Sequence, residues 1–326
     1  MHNNDLAIEK PQRKVINILF LGGAKRVSLA EEFIKAGNNL DYAVSIFSYE
    51  LTPFVPIAEV GTVVLGKKWA DPHLVAHLRS VIHEHDIDVV LPFVDPAIQI
   101  AASLKAHLKD VFIPVSSEAI AEIFFNKHLA NQWFVEHCIP VPEFKGKLPA
   151  IAKPVTGSAS KGLVIIESPD VLGEFNSRAD RDNFLLQEYV VGDEYTVDCY
   201  ADSTGRLIAA VPRKRLEVTG GEATKTVTVH HAAVEVLTQK LFVTRSFIGP
   251  ITVQFIEDKT SGKVYVMEIN PRFGGGALCS IHAGMQSPLY VIQEFLGISP
   301  QPMKQFNPGT LMVRSFREHY FYANNY

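Results

Sequence analysis

The run Ile251-Thr-Val-Gln254-Phe-Ile-Glu257, the polar turn Asp258-Lys-Thr-Ser-Gly262-Lys, and the return Val264-Tyr-Val-Met-Glu268-Ile-Asn270-Pro-Arg272-Phe-Gly-Gly-Gly276 decide how this chain is read. Two β-rich runs around a short glycine-containing turn predict an antiparallel hairpin. A turn centred on Ser261 sets Gln254 opposite Glu268 and Ile256 opposite Val266. Side chains alternate along a strand, so Gln254, Glu268 and Asn270 share one face. Val253, Phe255, Met267 and Ile269 then form the core face. One carboxylate and two amide oxygens beside a glycine-rich turn suit a hard cation such as Mg²⁺, which keeps waters and leans on phosphate oxygens. Arg272 supplies a cationic fork, and the three glycines a close backbone approach, so a phosphate-bearing partner is implied. Taken singly, the same residues also suit a solvated sheet face.

Outward from that hairpin, 326 residues are enough for two or three domains. With 47% hydrophobic and 20% charged residues, the composition is that of a soluble globular protein. A formal charge of -4 gives no bulk attraction to nucleic acid or acidic membranes, so small-molecule partners are expected. Cys138, Cys199 and Cys279 are far apart and lack metal-ligand spacing, which predicts a cytoplasmic chain without disulfides or zinc. The N-terminus lacks a signal-peptide pattern, and no apolar run reaches the length of a membrane span.

The first part of the chain alternates strands and helices. Strands are predicted at 15–21, 43–47, 62–65 and 88–93, with helices between them at 72–85 and after them at 98–108. This predicts a parallel, doubly wound sheet with its ligand edge at the strand C-termini. The first strand-to-helix turn, Gly22-Gly-Ala-Lys25-Arg26, lacks the third glycine of a dinucleotide fingerprint. Lys25, Arg26, Glu50 and Asp95 read either as lining a crevice for a small polar substrate or as loop charges, with Asp95 a helix N-cap before Pro96.

Beyond Ser117, a predicted N-cap, Asn126-Lys127 leads into a helix and Ile139-Pro-Val-Pro142 ends it. A strand ends in Lys153-Pro154, and Gly157-Ser158-Ala-Ser160-Lys161-Gly162 reads as a phosphate lid or as a plain hairpin loop. It is no Walker A motif, because Leu163 stands where lysine is required. The segment from Gln187-Glu188-Tyr189-Val190 to Glu194 is a strand, a glycine turn and a second strand. Another strand is predicted at 206–211. Arg213 and Arg215, then Lys225 after a glycine pair, read as holders of an acidic substrate or a transferred phosphate, or as a solvated hairpin. A helix over 232–248, helices at 279–282 and 288–296, and a tail strand over 309–316 complete the reading.

In their order these pieces resemble the ATP-grasp superfamily, nearest its carbamoyl-phosphate-synthase-like and amino-acid-ligase branches. The resemblance implies a pre-ATP-grasp α/β domain at 1–117 and a two-lobe α+β ATP-grasp domain at 118–326, with a small lobe near 128–188 and a C-terminal lobe near 189–326. Lys127 and Lys153 resemble the nucleotide-contacting lysines, and the segment with Ser158, Ser160 and Gly162 resembles the phosphate lid. Gln187, Glu188, Tyr189 and Val190 are similar to the adenine hinge, and Glu194 to the ribose-contacting acid. Gln254, Glu268 and Asn270 resemble the set for Mg²⁺ or Mn²⁺, and Arg272 the phosphate-contacting arginine. Gly274 and Gly275 would then steady the transferred group.

The implied chemistry is ATP-dependent activation of a carboxylate as its acyl phosphate, attacked by an amine. A small amino-acid-like acceptor is expected, with a homodimer left open. A split half of a carbamoyl-phosphate-synthase-like complex and a nucleotide-binding protein without ligase chemistry remain as alternatives. A complete synthase needs two such units, and this chain holds one.

Overall fold

Buried apolar runs that alternate with amphipathic helices can only stack as a sheet covered on both faces. The computed structural model describes residues 14–157 and 161–322. In it β1 (Lys14–Leu21), β2 (Tyr42–Glu50), β3 (Thr62–Leu65) and β4 (Val89–Pro92) form a parallel sheet in the order β3-β2-β1-β4. Helices α1 (Val27–Asn38) and α2 (Leu74–Glu84) connect the strands, and α3 (Asp95–His107) follows the last. Because β4 lies on the far side of β1 from β2, the strand order reverses between β1 and β4. Ligands of such sheets bind outside the strand C-termini at this reversal. Helix α3 starts before the predicted 98 because Val94 is its N-cap; Asp95 is therefore inside the first turn and not the cap.

Ser117 caps α4 (Glu118–Phe125), its Oγ accepting from the Ile120 N–H at 3.4 Å. Asn126 caps α5 (Lys127–Glu136) through bonds from the N–H groups of His128 and Leu129. A small antiparallel sheet follows, built from β5 (Ala150–Pro154), β6 (Val164–Ile166) and β7 (Phe184–Glu188) in the order β6-β5-β7. Helix α6 (Pro169–Asn176) covers it, and Phe175 and Phe184 pack edge-on over Ala150 and Ala152.

The largest sheet has six strands, in the order β12-β11-β8-β9-β10-β13. They are β8 (Gly192–Ala201), β9 (Leu207–Thr219), β10 (Glu222–Thr228), β11 (Gly249–Asp258), β12 (Val264–Asn270) and β13 (Leu311–Val313). Helix α7 (Ala232–Phe242) joins β10 to β11, and α8 (Ala277–His282) and α9 (Ser287–Phe295) follow β12.

Three bounds differ from the sequence reading. β9 runs through Arg213 and Arg215 to Thr219, where a turn at Gly220-Gly221 starts β10, so the glycine pair joins two strands instead of a long loop. α7 stops before 248 because Arg245 is left-handed, at φ 51°, which folds Phe247 back onto Phe242 with ring centroids 5.3 Å apart. The tail pairs with β10 only over Leu311–Val313.

One core spans the first and the largest sheets. Phe20, Phe33 and Phe93 share it with Val211, Phe273 and Val291. Phe273 stacks on Phe93 at 6.0 Å and meets Phe33 edge-on at 5.9 Å. These ring contacts fix the backbone beside Arg272 against the C-terminal ends of the parallel strands.

Candidate active site

The hairpin at 251–270 forms as β11 and β12, with Gln254 opposite Glu268 and Thr252 opposite Asn270. Glu268, Gln254, Thr196 and Arg213 continue as one row across β12, β11, β8 and β9. The register is broken just past Gln254, where Phe255 faces Val266 and Ile256 faces Tyr265, not Val266 as the even hairpin predicts. The extra residue is Met267. A bulge puts two residues against one and turns a side chain to the other face. Met267 therefore leaves the predicted core face and lines the crevice, Val264 and Val266 on the parity of Glu268 enter the core, and Ile269 stays in it.

The crevice lies between the small sheet, the largest sheet and the switch point of the parallel sheet. Lys127, Lys153, Gln254, Glu268, Asn270 and Arg272 all line it. Lys127 opens α5 and its Nζ donates to the Gly157 carbonyl at 2.8 Å. Lys153, near the end of β5, is 9% exposed. Burial draws its ammonium down to about 8; Glu268 opposes that shift and Lys127 adds to it. The two ammonium groups repel each other across the crevice, and the phosphates of a nucleotide would offset that repulsion.

Around the candidate metal set, the Asn270 amide donates to Glu268, and Arg272 Nη2 reaches Asn270 Oδ1 at 3.4 Å. Arg215 Nη1 donates to Gln254 Oε1 at 3.0 Å. The set is all oxygen with a single carboxylate, so a hard dication would fit only when phosphates and water complete its shell. Among the described residues no group of three or more His, Cys, Asp or Glu gathers for a metal.

Glu188, Tyr189, Val190 and Glu194 line the same crevice along the link from β7 to β8. The Tyr189 N–H is taken by the Pro149 carbonyl at 3.1 Å, and no acceptor among the described residues takes that of Val190. Glu194 lies 3.2 Å from Arg215 Nε, an ion pair without hydrogen-bond alignment. Gln187 is different. Strand alternation turns it away from the main crevice into an adjoining apolar chamber, where its amide donates to Asn131 at 3.1 Å. Gly162 is left-handed at φ 74°, and Ser158 and Ser160 fall outside the described residues.

The substrate candidates divide sharply. Asp95 and Arg26 follow β4 and β1, the two strands of the switch point, and both line the crevice. Asp95 accepts from Arg272 Nε at 2.9 Å, and Arg26 pairs with Glu222 at 3.1 Å. Arg213 is a buried member of the lining, and Gly274 and Gly275 border it as well. Three candidates do not belong. Lys25 points to solvent. Glu50 turns in under the first loop, where it accepts from Ser48 at 2.7 Å and from the N–H groups of Gly23 and Ala24; burial still raises its carboxyl above the ordinary range. Lys225 pairs across the β9–β10 hairpin with Glu217 at 3.3 Å, outside the crevice.

Sequence reading missed Glu222, Thr252 and Thr196, which line the crevice, and Asp198 beneath it. Buried Thr196 and Asp198 on the same strand parity as Glu194 carried that signal. Glu222, directly after the glycine pair, carried a weaker one.

A family profile described as "ATP-grasp in the biosynthetic pathway with Ter operon" matches residues 180–315. The chain is 28% identical over 137 residues to the carbamoyl phosphate synthase large chain of Agathobacter rectalis, covering 38% of this chain and 12% of that protein. Its match thus spans about an eighth of the length of the curated relatives. Its fold is similar to that of N5-carboxyaminoimidazole synthetase from Staphylococcus aureus complexed with ADP, at a TM-score of 0.71 and 17% identity over 89% of this chain and 80% of that one. L-amino acid ligase from Bacillus licheniformis is similar at a TM-score of 0.66 and 17% identity, over 87% of this chain and 75% of that one. No helix among the described residues is long and apolar enough to cross a membrane. By the profile match over 180–315 and a fold shared along most of its length, the chain is similar to ATP-grasp proteins.

Proposed function

We propose that the chain is a Mg-ATP-dependent carboxylate–amine ligase that activates a small carboxylate as its acyl phosphate. The observation that carries this reading is the gathering of Lys127, Lys153, Gln254, Glu268, Asn270 and Arg272 along one crevice between three sheets. Phosphoryl transfer asks a protein mainly for positioning and charge neutralisation. Lys127 and Lys153 bind phosphate oxygens as point charges. Glu268, Gln254 and Asn270 would hold Mg²⁺, which supplies Lewis-acid neutralisation of the transferred group. Arg272, steadied by Asp95, faces the acceptor side, and the Val190 N–H is left for the adenine edge. The fold likeness to an ADP complex and to an amino-acid ligase supports the nucleotide and the reaction class.

An amino-acid-like acceptor would bring an ammonium group that needs a carboxylate. Glu50 is turned away and Asp95 is held by Arg272, so the reading is kept at a small carboxylate of amino-acid size. A second reading, half of a carbamoyl-phosphate-synthase-like complex, is favoured by the match to that large chain. ADP release from Mg-ATP, measured with amino acids, other small carboxylates, peptides and bicarbonate in turn, tests both. Release driven by an organic carboxylate supports the ligase, release driven by bicarbonate alone supports the split complex, and no stimulated release sinks both.

A further inference from the structure

The acceptor end of the crevice is built from charges whose pairing is unequal. Arg272 holds Asp95 at 2.9 Å, and Glu222 is shared between Arg26, at 3.1 Å, and Arg314. Both carboxylates that line this end are therefore already ion-paired. Arg213 is 3% exposed, and its Nε donates to Asp198 Oδ2 at 2.8 Å. Ser280 Oγ donates to the same oxygen at 2.6 Å.

Asp198 lies behind the lining, not in it, and Gly274 covers it: a β-carbon at 274 would stand 2.9 Å from Asp198 Oδ1. Arg213 does line the crevice, and its Nη1 has no hydrogen-bond partner among the described residues. A buried guanidinium N–H without a partner is costly, and an anion bound in the crevice would supply the acceptor it lacks. Gly276 lies against the guanidinium, where a β-carbon would be 2.7 Å from both Cζ and Nη1. Among the described residues, the N–H groups of Gly274, Gly275 and Gly276 have no acceptor. Four guanidinium groups, those of Arg26, Arg213, Arg272 and Arg314, thus meet three carboxylates, those of Asp95, Asp198 and Glu222.

We propose that this end takes its acceptor as a net anion: an ammonium-free carboxylic acid, such as an N-acylated amino acid or a dicarboxylate, whose carboxylate docks on Arg213 beside the glycine turn. The inference rests on the ligase reading and names the substrate class of that same site. A free amino acid is disfavoured because its ammonium would meet Arg26, Arg213 and Arg272, while both carboxylates at this end are already paired. In the activation step one carboxylate oxygen bonds to the γ-phosphorus, the bond to the β–γ bridging oxygen breaks, and ADP leaves. An amine then attacks the acyl carbon, inorganic phosphate leaves, and the nitrogen gives up a proton to solvent.

Hydroxylamine can replace the unidentified amine, converting any acyl phosphate to a hydroxamate that is measured directly. The full chain with Mg-ATP and hydroxylamine is assayed with matched sets: N-acetylglycine against glycine, succinate against L-aspartate, and glutarate against L-glutamate. Ammonium-free members should give at least about tenfold more hydroxamate than their amino counterparts. For the best member, Arg213→Gln should raise KM about thirtyfold or more, with KM for ATP changed less than about threefold; Arg213→Lys should recover part of the loss. Gly276→Ala keeps every charge but presses on the guanidinium, and should raise the same KM, which covers the case in which Arg213→Gln fails to fold. Equal or better turnover of the amino members, or Arg213 and Gly276 variants that leave carboxylate KM unchanged, overturns the anion assignment and leaves the ligase standing. No hydroxamate and no stimulated ADP release from any member overturns the ligase reading and this inference with it.

Discussion

Asp95 Oδ1 lies 2.9 Å from Arg272 Nε, joining residues 177 positions apart in the sequence. Asp95 opens α3 at the switch point of the parallel sheet, and Arg272 follows β12 of the largest sheet. Arg272 also donates to the Phe273 carbonyl at 3.1 Å, so its guanidinium is held from both sides. Through this pair the first sheet orients a cation beside the hairpin.

Asp95→Asn therefore acts through Arg272. A charge-assisted bond between half-buried groups contributes roughly 1.5–3 kcal/mol, and exposure discounts that toward its lower end. The expected result is a fall in kcat/KM for the acceptor of about tenfold, with KM for ATP changed less than about threefold. Steady-state kinetics with each substrate varied in turn checks it; equal losses for both substrates would place Asp95 in the nucleotide site instead.

Glu268→Gln replaces the only carboxylate of the candidate metal set by a neutral amide of the same shape. The side chain is half-buried and its partner Asn270 tolerates either group, so the melting temperature should move by only a few degrees. Mg²⁺-dependent ADP formation should drop by roughly a hundredfold or more. Thermal unfolding run beside a Mg²⁺ titration of activity separates the two effects.

Lys153 gives the pH dependence. Its ammonium, drawn down to about 8 by burial, is charged below that pH and neutral above it. Nucleotide phosphates favour the charged form, so binding of ATP should weaken as pH rises through 8, by up to about tenfold per unit, with proton uptake on binding above it. Lys153→Arg stays charged and should flatten the profile. A pH-independent dissociation constant between 7 and 9.5 in the native protein would remove Lys153 from phosphate contact.

The bulge at Met267 exchanges the faces that an even hairpin would give two neighbours. Val266 is a buried core residue, so Val266→Ala should cost about 2 kcal/mol of stability and leave nucleotide affinity nearly unchanged. Met267 lines the crevice, so Met267→Ala should weaken ATP binding severalfold with little change in stability. Denaturant unfolding and nucleotide titration on the pair give four numbers; the reverse assignment would mean that the strand runs unbulged.

The sequence by itself determined the local elements and the residues that meet through short-range pattern. Parallel strands with amphipathic helices, the caps at Ser117 and Asn126, and Gln254 facing Glu268 all follow from periodicity and turn chemistry that act over a few residues. Tertiary structure decided which charges share a space. Arg26, Glu50 and Asp95 all stand near strand ends and look equivalent in the sequence, yet strand order puts β1 and β4 side by side and β2 one place away. Arg26 and Asp95 therefore reach the crevice, while Glu50 satisfies the backbone of the first loop. Arg213 and Lys225 likewise read as similar basic residues near the glycine pair. Register buries one over Asp198 and leaves the other on the outer hairpin with Glu217. A one-residue bulge at Met267 has no signature in composition, since it depends on how β12 meets β11 and not on either strand alone. Burial and pairing are properties of distant surfaces brought together, and the energies that distinguish a catalytic cation from a solvated one arise only there.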